Sequence, residues 1–248
     1  MDTTRLDILV AQQLNISREK AKELIKSRKI KVDGKEVIKP AAIYSKESKI
    51  TRSQIDNIYV SRGGYKLEGA IQAFNINLEN KVCLDIGAST GGFTDCLLQH
   101  KAKLVYAVDV GTNQLDKTLR ANANVISFEN YNIRNSKIED FSHIIDFIVI
   151  DVSFVSVIKV LESAFLLLKN EGELIMLIKP QFETKGKHLN KRGIVKDNKI
   201  HNKVLDQVLL FAKGLGFKII AVEKSKLKGK EGNIEYLAYL IKRGKQNV

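Results

Sequence analysis

The sequence predicts an α/β fold with a mostly parallel sheet, preceded by a small, basic α+β module. After residue 80, short apolar runs alternate with amphipathic stretches, which is typical of β-α-β units whose helices cover both faces of a sheet. Before residue 60, by contrast, thirteen basic and eight acidic residues give a net charge of +5. We therefore expect residues 1–60 to form the basic module, residues 61–80 a linker with the first helix of the larger domain, and residues 81–248 that domain itself.

The overall composition favours a globular protein with a polyanionic partner. Lys and Arg number 41 against 28 Asp and Glu, a formal net charge of +13, and 44% of the residues are hydrophobic. Nucleic acid is the first expected partner and an anionic membrane surface the second. Two cysteines exclude a disulfide scaffold. No apolar run has the roughly 20 residues of a membrane span, and the amino terminus lacks the apolar core of a signal peptide. We expect a cytoplasmic protein without stable membrane association.

The basic module is predicted to contain two helices followed by a hairpin. Apolar residues at helical spacing mark the inner face of the first helix, namely Leu6, Leu9, Val10 and Leu14. Ser17 is suited to cap the second helix. Ile30–Val32 then reads as a strand that runs into an Asp-Gly turn, and Val37 is expected to start the return strand.

Basic side chains are spread over both helices and the hairpin, which favours RNA binding over a merely solvated helix face. The predicted RNA contacts are Arg5, Arg18, Lys22, Lys26, Arg28, Lys29, Lys31 and Lys35, together with Arg62 at the junction of the two domains. The helix pair and the Lys-Val-x-Gly hairpin at Lys31–Gly34 resemble the S4 RNA-binding module. That resemblance implies an RNA clamp in front of the larger domain.

The larger domain is predicted to contain seven strands separated mostly by helices. Candidate strands are Val82–Ile86, Leu104–Asp109, Val125–Phe128, Phe147–Asp151, Leu174–Ile178, Lys218–Val222 and Tyr236–Ile241, and candidate helices are Gly91–His100, Gln114–Asn122, Val157–Leu168 and Lys199–Gly214. The last two strands are joined without a helix, so we expect them to form an antiparallel pair. Because ligands of such sheets bind beyond the carboxyl ends of the parallel strands, residues at those ends are the candidates for a site.

A glycine-rich turn, Gly87–Gly92, follows the first strand of this domain and has three interpretations. A dinucleotide fingerprint would require glycine at position 89, which is serine. Gly87-x-Ser89-x-Gly91 formally spells the nucleophile elbow of a hydrolase, with Asp151 and either His188 or His201 as partners. The third interpretation, S-adenosylmethionine binding, uses more of the residues, because it also explains an acidic side chain at the end of each of the first two strands.

In the S-adenosylmethionine interpretation each polar residue has a role. Asp109 would accept both ribose hydroxyls, Asp85 would orient the turn and the methionyl part, and Asn132 would contact the adenine edge. The backbone amides of a turn at the start of a helix favour ligand atoms that carry a partial negative charge. The remaining predicted cofactor contacts are Gly87, Ala88, Ser89, Gly91, Gly92, Phe93, Thr94 and Asp151.

Four charged residues are candidates for catalysis. Asp151 and Lys179 each follow a predicted strand, whereas Lys66 lies near the domain junction and Glu235 opens the last strand. Methylation of a sugar hydroxyl requires removal of its proton, and a neutral lysine is a suitable base while carboxylates hold the groups in line.

The four residues resemble the Lys-Asp-Lys-Glu tetrad of 2′-O-ribose methyltransferases of the FtsJ/RrmJ type. With the S4-like module and the segments Val60–Gly64, Asp151–Phe154 and Lys179–Glu183, the chain is similar to the TlyA family over nearly its whole length. The resemblance implies methyl transfer from S-adenosylmethionine to a cytidine 2′-hydroxyl of ribosomal RNA in the ribosomal subunits. It further implies that Lys66, Asp151, Lys179 and Glu235 form the tetrad, with Lys179 as the base.

Two other classes of function stay open at this point. The same family carries a haemolysin label, so a membrane-active protein is one alternative, and a non-catalytic RNA-binding assembly factor is the other. Lys224, Lys226, Lys228 and Lys230 suggest a phosphate-binding loop, and Lys185–Lys196 a mobile flap over the crevice. His188 and His201 have no partner at metal-ligand spacing, so no metal is predicted.

Overall fold

The computed structural model describes residues 2–26, 29–52, 58–229 and 231–243. The chain forms two compact units, Met1–Ile58 and Tyr59–Val248. The predicted contact Arg28 and the predicted loop lysine Lys230 lie outside the described residues.

In the part that the structure describes, the smaller unit has two helices and five short strands. In chain order these are β1 (Thr3–Arg5), α1 (Leu6–Gln13), α2 (Arg18–Lys26), β2 (Ile30–Val32), β3 (Lys35–Glu36), β4 (Ile43–Ser45) and β5 (Ile50–Arg52). β1 pairs with β4, and β2 lies between β3 and β5. The helix pair and the hairpin are confirmed. The return strand starts at Lys35 rather than Val37, because Asp33 and Gly34 both have positive φ and close a two-residue turn.

Apolar side chains of α1, α2 and β2 form the core of this unit. Leu6, Val10, Ile25 and Ile30 are fully buried there. The predicted cap is also present, since the Lys20 amide donates to Ser17 Oγ at 3.2 Å.

The larger unit contains six helices and seven strands among its described residues. These are α3 (Arg62–Phe74), β6 (Val82–Ile86), α4 (Gly92–Gln99), β7 (Leu104–Val108), α5 (Lys117–Arg120), β8 (Val125–Phe128), β9 (Ile145–Ile150), α6 (Ile158–Leu167), β10 (Leu168–Ile178), α7 (Pro180–Glu183), α8 (Asn198–Leu215), β11 (Phe217–Lys224) and β12 (Tyr236–Lys242). Two short 3₁₀ turns, Ile133–Asn135 and Ile138–Asp140, follow β8.

One seven-stranded sheet organises the larger unit, with strand order β11-β12-β10-β9-β6-β7-β8. The strands β6 to β10 are parallel to one another, and β12 runs antiparallel between β10 and β11. The predicted α/β class, the seven strands and the antiparallel end of the sheet are therefore confirmed. The predicted helix over 114–122 is shorter, because residues before Lys117 form a loop.

Successive side chains along each strand point to opposite faces of the sheet, so they contribute to two apolar cores, one on each face. Leu84 and Ile86 point to the face covered by α6 and α8, whereas Cys83 points to the face covered by α3 and α4. All of these strand residues are almost fully buried. This burial fixes the register of the parallel strands, and their carboxyl ends consequently meet along one edge.

Candidate active site

The turn after β6 requires glycine at two positions where the backbone packs closely. Gly87 has a φ of +87°, and a Cβ there would lie 2.7 Å from the Asp151 carbonyl oxygen. A Cβ on Gly92 would lie 2.1 Å from Ser61 Oγ. A side chain at Gly87 would push the turn away from the end of β9, and one at Gly92 would push it away from the start of α3. The two glycines therefore allow the turn, β9 and α3 to meet at the edge of the sheet.

Asp109 follows β7 and binds the turn directly. Its carboxylate accepts hydrogen bonds from the Ser89 amide at 2.8 Å and from the Gly111 amide at 2.7 Å. Ser89 itself has a φ of +49°. Ser89 therefore adopts the left-handed conformation that the tight turn needs, although it is not glycine. Its amide is the group that hydrogen-bonds to Asp109.

A cavity of about 510 Å³ opens beside this turn, and Gly87, Ser89, Asp109, Asn132, Asp151 and Phe154 are part of its wall. Asn132 Oδ1 accepts from the Arg134 amide at 3.2 Å, which leaves the Asn132 amino group as the donor that this side chain can offer. The predicted ribose, turn and adenine contacts thus line one cavity, whose size suits a nucleoside ligand.

Asp85 lies beneath the turn and does not line the described cavities. It is fully buried, and Thr94 Oγ1 donates to its Oδ2 at 2.7 Å. Its Oδ1 has no hydrogen-bond partner among the described residues. Burial, with a smaller contribution from the charge of Asp151, raises the pKa of Asp85 to about 7. This carboxyl group shapes the turn from below and leaves one buried acceptor unused.

A second cavity of about 600 Å³ adjoins the first and shares Gly87, Ser89, Asp151 and Ser153 with it. Its wall also includes Ala88, Gly92, Phe93, Arg62, Lys66 and Lys228. Arg62 Nη2 donates to the Lys228 carbonyl at 3.1 Å, which joins the start of α3 to the loop before β12. Asp151 and Ser153 therefore stand between a cofactor-sized space and a second, basic space.

The four predicted catalytic residues form two lysine–carboxylate pairs. Lys179 Nζ lies 2.6 Å from Asp151 Oδ1 and donates to Ser153 Oγ at 2.9 Å. Lys66 Nζ lies 2.6 Å from Glu235 Oε2. Lys179 and Glu235 are only 7% and 3% exposed, so both side chains are held away from bulk water and depend on their partners.

Gln181 contacts one of the two pairs. It is in α7, two residues after Lys179, and its Nε2 donates to Glu235 Oε1 at 3.5 Å. Its Oε1 is buried without a hydrogen-bond partner among the described residues. Sequence reasoning missed both Gln181 and Ser153, although each lies in a segment that the motifs had already marked.

Glu129 was also missed, and it holds the loop between β7 and α5. Its carboxylate accepts from the amides of Asn113 and Gln114 at 3.0 Å and of Leu115 at 3.3 Å. Arg120 Nη2 adds a bond of 2.9 Å. The same loop presents Gln114 to the first cavity. The only sign of this role in the sequence is the position of Glu129 directly after β8. The residue is not part of a recognised motif.

The hydrolase interpretation of the turn was wrong. Ser89 Oγ donates to Gln114 Oε1 at 3.2 Å, and no histidine among the described residues contacts it. His201 is instead buried under the segment before α8, with Tyr236 and the Val195 carbonyl each 2.9 Å from one of its ring nitrogens. The arrangement needed to activate a serine is therefore absent from the described part of the chain.

The predicted RNA contacts of the smaller unit differ in their surroundings. Arg5 and Arg18 both bind the fully buried carboxylate of Asp7 at 3.1 Å, and Lys22 pairs with Glu19 at 2.6 Å. The remaining described ones are exposed or half-buried and form no ion pair with a described residue, namely Lys26, Lys29, Lys31 and Lys35.

The sheet order, the turn after its first strand and the paired lysines define a Rossmann-like methyltransferase domain. A sequence model of the FtsJ-like methyltransferases matches residues 59–242, and an S4 domain model matches residues 4–50. The chain therefore belongs to the FtsJ-like methyltransferases, in the TlyA family that also carries an S4 domain.

Relatives and solved structures agree with this assignment. Hemolysin A of Brachyspira hyodysenteriae is 44% identical over 227 residues, which cover 91% of this chain and 94% of the relative. The 16S/23S rRNA (cytidine-2′-O)-methyltransferase TlyA of Mycobacterium tuberculosis is 37% identical over 233 residues, covering 94% and 87%. A Streptococcus thermophilus structure described as a hemolysin has a TM-score of 0.77 at 42% identity, covering 98% and 90%.

A more distant structure supports the fold alone. It is an S-adenosylmethionine-dependent methyltransferase of Listeria monocytogenes, with a TM-score of 0.56 at 16% identity, covering 74% of this chain and all of that one (100%). Among the described residues, no helix has both the length and the apolar character needed to span a bilayer.

Proposed function

We propose that the chain transfers a methyl group from S-adenosylmethionine to the 2′-hydroxyl of a cytidine in ribosomal RNA. The observation that carries this proposal is the pair of buried lysine–carboxylate contacts, Lys179–Asp151 and Lys66–Glu235, beside two adjoining cavities. A relative that is 37% identical over nearly the whole chain is named for this activity on 16S and 23S rRNA. Such a substrate would place the reaction in the cytoplasm.

The first cavity fits the cofactor. Asp109 would bind the ribose hydroxyls, and the Asn132 amino group would donate to the adenine edge. Glycine at position 87 lets the turn pack against the Asp151 carbonyl, so that the backbone of the turn forms part of the cavity wall. Asp85, buried beneath the turn, would support the turn from below and would not touch the cofactor. When bound, S-adenosylmethionine supplies an electrophilic methyl group on a sulfonium centre.

Lys179 is the proposed base. Its Nζ accepts the proton of the 2′-hydroxyl as the new O–CH₃ bond replaces the O–H bond. Asp151 and Ser153 contact this Nζ at 2.6 and 2.9 Å, so they fix its position and stabilise the ammonium that forms. The electrons of the departing methyl bond remain on the sulfur, so the charge on the lysine balances the charge lost from the sulfonium.

Lys66 and Glu235 are proposed to hold the acceptor ribose. Lys66 lines the second cavity, and Glu235, which does not line it, forms an ion pair with the Lys66 ammonium. Gln181 donates to Glu235 as well and would help to hold that carboxylate in place. Holding acceptor oxygen and base in line accounts for a large part of the rate enhancement in such reactions.

The smaller unit is proposed to bind the RNA backbone. It places exposed lysines, among them Lys31 and Lys35, on the hairpin, and S4-type modules chiefly recognise RNA shape and phosphates. A membrane-active role is less well supported by its geometry. The apolar residues Ala21, Leu24 and Ile25 of the cationic helix α2 are buried in the core of the unit and are not available to a bilayer.

The test is transfer of labelled methyl to isolated small and large ribosomal subunits. Wild type and the exposed-lysine control Lys203→Ala should label RNA on a ribose, whereas Lys179→Ala should lose about 10²–10⁴-fold in rate and keep cofactor binding. Label on a base, or equal rates for Lys179→Ala and wild type, would contradict the assignment. Leakage from vesicles by the purified protein, without methyl transfer to either subunit, would favour the membrane-active alternative.

A further inference from the structure

A cluster of three potential metal ligands lies between α3 and α4, away from the tetrad. Glu68 in α3 faces Cys96 in α4 and His100 at the end of α4. One ligand atom from each lies within 4.8 Å of the other two. Among the described residues this is the one group of three such side chains gathered so closely. The proposed methyl transfer does not use this combination.

The spacing within the cluster is close to that of a tetrahedral metal site. Glu68 Oε2 lies 2.6 Å from His100 Nε2 and 3.9 Å from Cys96 Sγ. With metal–ligand bonds of about 2.0–2.3 Å, neighbouring ligand atoms lie roughly 3.3–3.8 Å apart. A cation could therefore replace the hydrogen bonds after shifts of about 1 Å in partly exposed side chains.

The surrounding groups orient the carboxylate as metal sites commonly do. Gln72 Nε2 donates to Glu68 Oε1 at 2.5 Å and leaves Oε2 directed at the other ligands. Tyr59 contributes a hydroxyl 2.6 Å from the same Oε2. This hydroxyl donates to Oε2 and holds it in place, and a water molecule would supply the fourth ligand.

The exposure of the three side chains and the chemistry of their donor atoms indicate which metal ion the cluster would bind. The side chains of His100 and Glu68 are 31% and 24% exposed, whereas Cys96 is fully buried, so a cation has an entry path and the thiolate is shielded. Imidazole, thiolate and carboxylate together are ligands that Zn²⁺ favours, and they do not suit Mg²⁺ or Ca²⁺.

We propose that Glu68, Cys96 and His100 form a structural site for zinc or a similar divalent transition-metal ion. The ion cross-links α3, which carries Lys66, to α4, which starts at the cofactor turn. The residues were not recognisable from spacing alone, because Glu68 is 28 residues away from Cys96. The proposal does not depend on the substrate assigned above.

The first test uses Co²⁺ as a spectroscopic probe with the full-length, chelator-treated protein. Wild type should bind one equivalent of Co²⁺ with a thiolate-to-cobalt charge-transfer band that Zn²⁺ abolishes by displacement. Cys83→Ala, which removes the other buried cysteine, is the matched control and should keep the band. Cys96→Ala should lose the band, and His100→Gln should weaken binding by about 10–100-fold.

A second readout covers the case in which Cys96→Ala does not fold. Zn²⁺ should raise the Tm of wild type and of Cys83→Ala, and His100→Gln, at a partly exposed position, should lose that rise. A wild-type protein without the charge-transfer band would overturn the proposal. The same conclusion follows if wild type and His100→Gln bind Co²⁺ equally, because the metal would then be held elsewhere.

Discussion

Lys66 Nζ lies 2.6 Å from Glu235 Oε2 although the two residues are 169 positions apart in the chain. Their side chains are only 11% and 3% exposed. Breaking a buried ion pair from one side leaves an uncompensated charge, which is more costly than removing both partners. The pair therefore ties the first helix of the larger unit to its last strand.

We predict that Lys66→Met and Glu235→Gln are strongly non-additive. Each single variant should lower the free energy of unfolding and the single-turnover rate of methyl transfer. In stability, the double variant should recover about 1–3 kcal/mol relative to the sum of the singles. Urea unfolding of the four proteins measures this coupling. Additive losses would show that the contact contributes nothing beyond its separate side chains.

Glu129→Gln should weaken cofactor binding without changing the affinity for RNA. The glutamate accepts from three successive backbone amides, and a carboxamide accepts through one oxygen, so the loop with Gln114 should loosen. We expect about a 10-fold higher Kd for S-adenosylmethionine, or roughly 1.4 kcal/mol. Titration calorimetry is the measurement, with exposed Glu139→Gln as the control. Equal affinities for the two variants would remove the positioning role of Glu129.

Asp85→Asn should become more stable relative to wild type as the pH rises. The folded carboxyl has a pKa of about 7, against about 4 when unfolded. Between these values the unfolded chain has released its proton and the folded chain retains it, so wild type loses stability as the pH increases. The uncharged carboxamide of the variant keeps an acceptor for Thr94 and does not titrate.

The difference between Asp85→Asn and wild type should grow by about 2–4 kcal/mol from pH 4 to pH 8 and stay constant below pH 4. Urea unfolding at a series of pH values measures it. Exposed Asp206→Asn serves as the control for the general pH dependence of the fold. Parallel stability curves for Asp85→Asn and wild type would show that the buried carboxyl ionises as readily as an exposed one.

Replacing Lys31 and Lys35 by alanine should weaken RNA binding and flatten its salt dependence. Each phosphate contact that is lost should lower the slope of log K against log salt by about 0.7–0.9. Fluorescence anisotropy with an rRNA fragment at several salt concentrations measures the slope. Lys20→Ala is the matched control, since Lys20 already pairs with Glu23. An unchanged slope in the double variant would exclude the hairpin from the RNA interface.

The sheet was predictable because its strands are buried on both faces and read as continuous apolar runs. Its less regular parts were not. β10 starts at Leu168, six residues before the predicted start, and the register shifts between Leu168 and Glu173, where polar residues hide the strand. In the smaller unit, β1, β4 and β5 have three residues each and are too short to show a period.

The candidate site was predictable where it depends on strand ends. Asp109 and Asp151 follow parallel strands, and that position alone places them at one edge. Lys66 and Glu235 were assigned through family resemblance, because no local pattern joins a helix to a distant strand. Glu129 was missed since its role is to hold backbone amides, which leave no trace in the sequence.

The position of β12 in the sheet has a consequence for the folding of the enzyme during its synthesis. This strand follows both β10 and β11 in the chain, yet it lies between them in the sheet and is preceded directly by Glu235. Domains fold as units during synthesis, the N-terminal one first, so the S4 module can form before the partner of Lys66 exists. A nascent or truncated chain that lacks β12 therefore lacks both the strand that joins β10 to β11 and the carboxylate that pairs with Lys66.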